Sequence, residues 1–243
     1  MSKFGLIGKN ISYSFSKAFF AEKFKREKLP YFYENFDIES IDELPKIFLE
    51  NKNLKGLNVT IPYKETIIPY LDAIDEEAKT IGAVNTIKIS EDNMLTGFNT
   101  DYFGFQKSLE AFLPLKKKTA LILGTGGASK AVAYALDKLG FDYKCVSRDK
   151  KNNSLLYKQI DHHCLEDNLL LINCTPLGTF PNIEACPPLP YQFITEDHLL
   201  FDLVYNPAET EFLKRGKIQG AQTVNGLHML EFQAEKAWEI WNS

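Results

Sequence analysis

Two charged residues early in the chain have the types and settings of a proton-transfer pair. Lys64 follows Gly56-Leu57-Asn58-Val59-Thr60 by a short turn through Pro62, and Asp101 follows Gly97 through Asn99-Thr100. An ammonium and a carboxylate placed together can pass a proton to or from a substrate oxygen. Other polar groups recur in similar places. Asn58 and Thr60 close an apolar run, and Asn85 interrupts another, Ala83-Val84-Asn85-Thr86-Ile87. Buried amides and charges cost on the order of kcal/mol each unless they are partnered. Strand ends are also where open α/β sheets bind ligands. Taken together, these residues read as a site rather than as scattered core polarity.

A second chemistry lies further along. Leu121-Ile122-Leu123-Gly124-Thr125-Gly126-Gly127-Ala128-Ser129 is an apolar strand entering a glycine turn that opens a helix. Gly124 permits the tight turn, and Gly126 lets a pyrophosphate approach the backbone. The helix start offers N–H groups and a positive dipole end. Ser129 stands where the GxGxxG pattern has its third glycine, and is still small. The next strand ends in Val146-Ser147-Arg148-Asp149-Lys150-Lys151. An acid placed first at this point would hold a ribose 2′-hydroxyl; Arg148, with the lysines behind it, suits a 2′-phosphate. NADP is therefore favoured. Asp149, which would repel that phosphate or pair with Arg148, keeps NAD open.

Positioning these groups requires alternating strands and helices. The first block predicts a strand at Phe4–Ile7, a helix from Ser16 to Lys28 and a strand over Tyr31–Phe36. A helix over Ile41–Asn51 follows, with Pro45 near its first turn. Strands at 56–60 and Ala83–Ile89 come next, the latter partnered by Met94–Gly97. After a junction near 100–118, the second block predicts strands at Thr119–Leu123, Tyr143–Val146, Leu169–Asn173 and Leu199–Val204. It also predicts a helix over Ser129–Leu139, stopped by Gly140. A last helix runs from Asn225-Gly226 to Trp241. It carries an apolar stripe of Leu227, Leu230, Ala234, Ala237, Trp238 and Trp241, with Gln233 inside it. An inward glutamine needs a partner, either a ligand hydroxyl or a neighbouring backbone group.

The expected fold is α/β with two α/β domains. The N-terminal substrate and catalytic domain, residues 1–100, has a mainly parallel sheet. The second domain, residues 101–225, is a Rossmann-type NADP-binding domain.

Composition sets the outer limits. The 243 residues are 44% hydrophobic and 25% charged with a net charge of −4, which excludes a disordered tail or a collagen-like repeat. The acidic balance argues against nucleic acid, and Lys116-Lys117-Lys118 has no interleaved aromatics. No apolar run approaches 18 residues and the start lacks a signal peptide's apolar stretch, so no membrane partner and a cytoplasmic location are expected. Cys145, Cys164, Cys174 and Cys186 form no CxxC pair and read as thiols. His162-His163-Cys164 reads as a polar loop before a strand, since adjacent residues do not converge easily on one zinc and no metal is expected.

These motifs, in this order, resemble the shikimate dehydrogenase family over almost the whole chain. Ser14-Phe15-Ser16 is similar to its S-x-S segment, and Asn58-Val59-Thr60-Ile61-Pro62-Tyr63-Lys64 to its N-V-T-x-P-[FY]-K signature. Gly82-Ala83-Val84-Asn85-Thr86 and Gly97-Phe98-Asn99-Thr100-Asp101 resemble G-A-V-N-T and G-x-N-T-D. Asn173 to Gly178 resembles N-x-T-P-x-G, Asp202 to Tyr205 resembles D-x-x-Y, and Gly226 to Leu230 resembles G-x-x-M-L.

The resemblance implies reversible, NADP-dependent reduction of 3-dehydroshikimate to shikimate, with Lys64 and Asp101 catalytic. It implies that Ser14 and Ser16 hold the substrate carboxylate. Thr60, Asn85 and Asp101 would meet ring hydroxyls, and Asn58, Tyr205 and Gln233 would complete the substrate site. For the cofactor it implies Gly124, Thr125, Gly126, Gly127, Ala128, Ser129, Ser147, Arg148, Thr175, Leu203 and Gly226. The chain departs from the family at Ser147-Arg148-Asp149, where N-R-T is usual, and at Asn152, where a basic residue follows. Rivals are an NAD-using quinate/shikimate dehydrogenase, a methylene-tetrahydrofolate dehydrogenase, which the Ser14/Ser16 pair opposes, and a non-catalytic shikimate-binding sensor. The resemblance also implies that the C-terminal helix, residues 226–243, packs back towards the substrate domain and completes it, and a monomer or homodimer is expected.

Overall fold

In the computed structural model, which describes residues 2–12, 14–149 and 154–243, the chain divides into two units. One is Met1–Phe103 with Glu231–Ser243, the other Gly104–Leu230. Lys150, Lys151 and Asn152 lie outside the described residues.

The first unit is built on β1 (Ser2–Gly8), whose Phe4, Leu6 and Ile7 are buried. α1 (Phe15–Arg26) follows, with Phe20 and Phe24 one turn apart on its buried face. β2 is Tyr31–Asp37. The helix predicted over Ile41–Asn51 is split into a 3₁₀ turn, Ile41–Glu43, capped reciprocally by Ser40 and Glu43, and α2 (Leu44–Glu50). Pro45 sits in the first turn of α2, where its missing N–H costs nothing. β3 (Leu54–Val59), β4 (Ala73–Ile74), α3 (Glu76–Ile81), β5 (Thr86–Ile89), β6 (Leu95–Phe98) and α4 (Asp101–Glu110) complete this stretch.

The strand order is β2-β1-β3-β5-β6-β4. β1 runs parallel to β2 and β3, whereas β5 is antiparallel to both β3 and β6. The strand expected over Ala83–Ile89 begins only at Thr86. Upstream, the backbone bonds outside the regular ladder: Val84 N donates to Lys64 O in the turn after β3 at 2.7 Å, and Asn85 N to Phe98 O at the end of β6 at 3.0 Å.

The second unit holds β7 (Thr119–Leu123), α5 (Gly127–Leu139), β8 (Asp142–Ser147), β9 (Leu155–Leu156), α6 (His162–Asp167) and β10 (Leu170–Asn173). β11 (Leu199–Asp202), α7 (Glu211–Ile218), β12 (Gln222–Val224) and the start of α8 (Leu227–Asn242) follow. Every strand pair is parallel, in the order β12-β11-β10-β7-β8-β9. This is the doubly wound dinucleotide-binding order, with the topological switch between β7 and β10. α5 begins two residues earlier than predicted and buries Ala131, Val132, Ala135 and Leu136; Gly140, at φ 71°, ends it.

His162-His163-Cys164 does not form a loop but opens α6, whose first turn is capped by Asp161 accepting from Cys164 N at 2.9 Å. Cys164 packs against the core, while His162, His163 and Glu166 are exposed. Among the described residues no helix is long and apolar enough to cross a membrane.

The unit boundaries fall inside α4 and α8, so each of these continuous helices contributes residues to both units. In the first unit, α8 inserts Trp241 into the aromatic cluster. Its ring lies 4.8 Å from that of Phe4, and its Nε1 donates to Ile87 O at 2.9 Å. Gly56 leaves room for this ring, since a Cβ there would lie 2.3 Å from Trp241 Nε1. Lys23 of α1 ties α8 down through Glu235 at 2.7 Å. Ala234, Ala237 and Trp241 are buried as the stripe predicts, whereas Leu227 at its start is exposed.

Candidate active site

Lys64 is held by the turn that follows β3. Tyr63 N donates to Thr60 O at 2.9 Å, and the buried Tyr63 hydroxyl donates to Ile38 O at 2.7 Å. Asp101 is positioned from the other side. Asn99 Oδ1 accepts from Asp101 N at 3.0 Å and Tyr102 N at 3.3 Å, starting α4, while Asn99 Nδ2 donates to Ala83 O at 2.9 Å. The two meet with Lys64 Nζ 2.7 Å from Asp101 Oδ2, and their side chains are 16% and 3% exposed. A charge-assisted bond this short and this shielded is among the stronger polar contacts. Asp101 also lies in the first turn of α4, where negative charge is favoured.

Asn85 organises what surrounds the pair. Its Oδ1 accepts from Thr100 N at 2.7 Å and Thr86 Oγ1 at 3.1 Å. Its Nδ2 serves Asp101 Oδ1 and Thr100 Oγ1, both at 3.0 Å, and Gln233 Oε1 at 3.1 Å. Gln233 thus has a side-chain partner, which is neither of the two expected from sequence. Asn58 joins through Nδ2 to Thr86 Oγ1 at 3.2 Å, and its Oδ1 accepts from Tyr33 at 2.8 Å. Ser14 is the N-cap residue of α1, yet its hydroxyl makes no cap bond, and its buried oxygen has no partner among the described residues. A hydroxyl left unsatisfied at a helix N-terminus suits an anionic ligand group. Ser16, in the first turn of α1, faces the Tyr33 phenol oxygen. Thr60 lies at the end of β3, its methyl against Gly8. Thr86 and Thr100 stand inside the quoted motifs without a role assigned to them, and Tyr33 escapes motif reading because it looks like an ordinary strand residue.

The second unit forms a separate cradle. Gly124, at φ 117°, makes the turn after β7; a Cβ there would press on the Cys174 carbonyl carbon and oxygen at 3.3 and 3.2 Å. Gly126 is the N-cap of α5, and a Cβ there would meet nothing within 4 Å. The first N–H groups of α5, on Gly127, Ala128 and Ser129, have no carbonyl within the helix to bond. Ser129 Oγ turns back to Gly126 O at 2.6 Å. Open backbone before a helix N-terminus at a sheet's switch point fits a dinucleotide pyrophosphate. Ser147 is buried at the end of β8, and Arg148 and Asp149 are exposed just beyond it.

A buried network, missed in the sequence, positions the remaining cofactor candidates. Asp202 accepts from Asn173 Nδ2 at 2.9 Å, Val204 N at 3.0 Å and Thr210 Oγ1 at 2.5 Å. Burial pushes its carboxyl up to about 6 despite these donors. Asn173 Oδ1 in turn accepts from Thr175 N at 3.0 Å and Thr175 Oγ1 at 2.6 Å. Leu203 N donates to Asn173 O at 3.0 Å. Gly226 packs on the same backbone: a Cβ there would lie 2.2 Å from Leu203 O. Thr175, Leu203 and Gly226 therefore share one framework. Tyr205, half-buried, lies three residues after Asp202 in the same unit.

Comparison with known proteins agrees with this geometry. The family model for the shikimate dehydrogenase substrate binding domain matches residues 6–87. The NADP(+) shikimate dehydrogenase of Methanosphaera stadtmanae is 40% identical, covering 98% of this chain and 90% of that one. Among solved structures, shikimate dehydrogenase 1 from Peptoclostridium difficile is 41% identical, with a TM-score of 0.85 over 100% of this chain and 92% of that one. The shikimate 5-dehydrogenase from Thermus thermophilus, solved in complex with NADP(H) and shikimate, is 34% identical, with a TM-score of 0.87 over 99% and 93% of the two chains. With motifs, strand order and near full-length identity in agreement, the chain belongs to the shikimate dehydrogenase family.

Proposed function

We propose that this protein reversibly reduces 3-dehydroshikimate to shikimate with NADPH. The observation that carries the reading is the shielded Lys64–Asp101 ion pair, set in the amide and hydroxyl network around Asn85. When bound, the nicotinamide supplies or accepts the hydride at the carbon bearing the oxygen. The Lys64 ammonium delivers a proton to that oxygen as negative charge develops on it, and recovers the proton in the oxidising direction. Asp101 holds the ammonium in place.

Ser14 and Ser16 bind the substrate carboxylate, and the unsatisfied Ser14 hydroxyl supports this assignment. Asn58, Thr60, Asn85, Gln233 and Tyr205 hold the ring. The first unit carries all of these substrate residues except Tyr205 and is the substrate domain, and the second binds the dinucleotide through Gly124 to Ser129, Ser147, Arg148, Thr175, Leu203 and Gly226. Arg148, exposed at the end of β8, serves the 2′-phosphate. The exposed carboxylate of Asp149 beside it supports a second reading, in which NAD is accepted. Among the described residues Cys145, Cys164, Cys174 and Cys186 form no disulfide, which supports a reducing, cytoplasmic setting.

Lys64→Ala tests the assignment. Turnover should fall by about 10²–10⁴, while the calorimetric affinity for shikimate stays within about threefold. Near-normal turnover in a folded variant would overturn the role given to Lys64.

A further inference from the structure

The polar network of the first unit does not stop at the residues that face the reaction. From the catalytic pair it runs backwards in one direction. Lys64 donates to Asp101 at 2.7 Å, and Asn85 donates to the other oxygen of the same carboxylate at 3.0 Å. Thr86 donates to Asn85 Oδ1 at 3.1 Å, Asn58 donates to Thr86 Oγ1 at 3.2 Å, and Tyr33 donates to Asn58 Oδ1 at 2.8 Å. Ser16 faces the same phenol oxygen. Tyr33 thus joins the serine end of this site to the amide and carboxylate end.

Its setting leaves it little freedom. Tyr33 is buried in β2, and its ring stacks on Phe20 of α1 at 4.6 Å and 11°. The stack fixes where the hydroxyl can point. The hydroxyl in turn decides which way the Asn58 amide faces, since Oδ1 is the atom that accepts from Tyr33. With Oδ1 so engaged, Nδ2 is directed at Thr86 Oγ1 and Asn85 O. Without the phenol hydroxyl, Asn58 Oδ1 would lose its donor in a half-buried site and the amide could turn over.

We propose that Tyr33 is a positioning residue for shikimate, setting the orientation of Asn58 from behind the site. This rests on the substrate reading given above. Tyr33→Phe removes only the hydroxyl and keeps the stack on Phe20. The test is steady-state kinetics of the full chain for the wild type, Ser16→Ala, Tyr33→Phe, Asn58→Ala and the Tyr33→Phe/Asn58→Ala double variant, with thermal melts alongside. In Tyr33→Phe the KM for shikimate should rise about tenfold, equivalent to about 1.4 kcal/mol, with the KM for NADP⁺ within about twofold. Because Tyr33 acts through Asn58, the double variant should be no more than about twofold worse than Asn58→Ala alone.

An unchanged KM for shikimate in Tyr33→Phe would overturn the proposal. So would an equal rise in both KM values, which marks general loosening, or fully additive effects in the double variant. A wild type without shikimate oxidation, or an unaffected Ser16→Ala, would instead strike the underlying substrate reading, and the first of these would take the Tyr33 proposal with it. Should Tyr33→Phe fail to fold, the proposal is also overturned, because the stack and not the hydroxyl is argued to carry the packing.

Discussion

Asp202 shows what burial does to a carboxyl group even when three donors surround it. Loss of water raises it to about 6, and Thr210, Val204 and Asn173 recover only part of that cost. The ordinary value in an unfolded chain is about 4. A folded-state value above the unfolded one means that the folded protein holds this proton more tightly. The contribution of Asp202 to stability is therefore greatest below about pH 4. It declines as pH rises to about 6 and is level above, a change on the order of 3 kcal/mol. Asp202→Asn should remove this component, so the difference in unfolding free energy between variant and wild type should change across that interval in urea titrations. Parallel pH curves would contradict the assignment. Reading the sequence marked Asp202 only as part of a D-x-x-Y run, because its partners Asn173 and Thr210 lie 29 and 8 residues away. Tyr33 was hidden for a related reason: in an alternating strand, a tyrosine with a functional hydroxyl looks the same as one that fills the core.

At the scale of elements, two glycines with similar motif status separate ligand space from packing. Gly126 opens α5 with empty space where a Cβ would stand, at φ −90°, which any residue adopts. Gly126→Ala should change stability by under about 0.5 kcal/mol while raising the KM for NADP⁺ about tenfold or more, because the methyl group enters the pyrophosphate's space. Gly226→Ala should instead destabilise the fold by about 1–3 kcal/mol, since its Cβ collides with the Leu203 backbone. Melting curves paired with NADP⁺ kinetics check both, and a strongly destabilised Gly126→Ala with normal cofactor kinetics would contradict the cradle. Long apolar elements such as α5 and the strands β7, β8, β10 and β11 were legible, because burial imposes their pattern. Short ones were not. α6 spans six residues, too few for periodicity, and is made by the Asp161 cap and the burial of Leu165. The antiparallel setting of β5 also left no local mark, because direction is decided by the sheet partners β3 and β6.

At the scale of the whole molecule, the chain assigns its two chemistries to two units. One carries the Lys64–Asp101 pair and the polar network around Asn85, the other a parallel sheet with a glycine turn at its switch point. The division into two α/β blocks was legible because each block has its own apolar runs. The units part inside α4 and α8, after Phe103 and after Leu230, where continuous helices leave no break in the sequence pattern. The measurement that bears most directly on this account is nicotinamide reduction by the purified protein with shikimate, run in parallel with NADP⁺ and NAD⁺. The account predicts reduction that strongly favours NADP⁺, with Arg148 holding the 2′-phosphate. Reduction with NAD⁺ alone would hand the pocket to Asp149, and no reduction with either cofactor, on folded protein that still binds shikimate, would contradict the catalytic role of the Lys64–Asp101 pair.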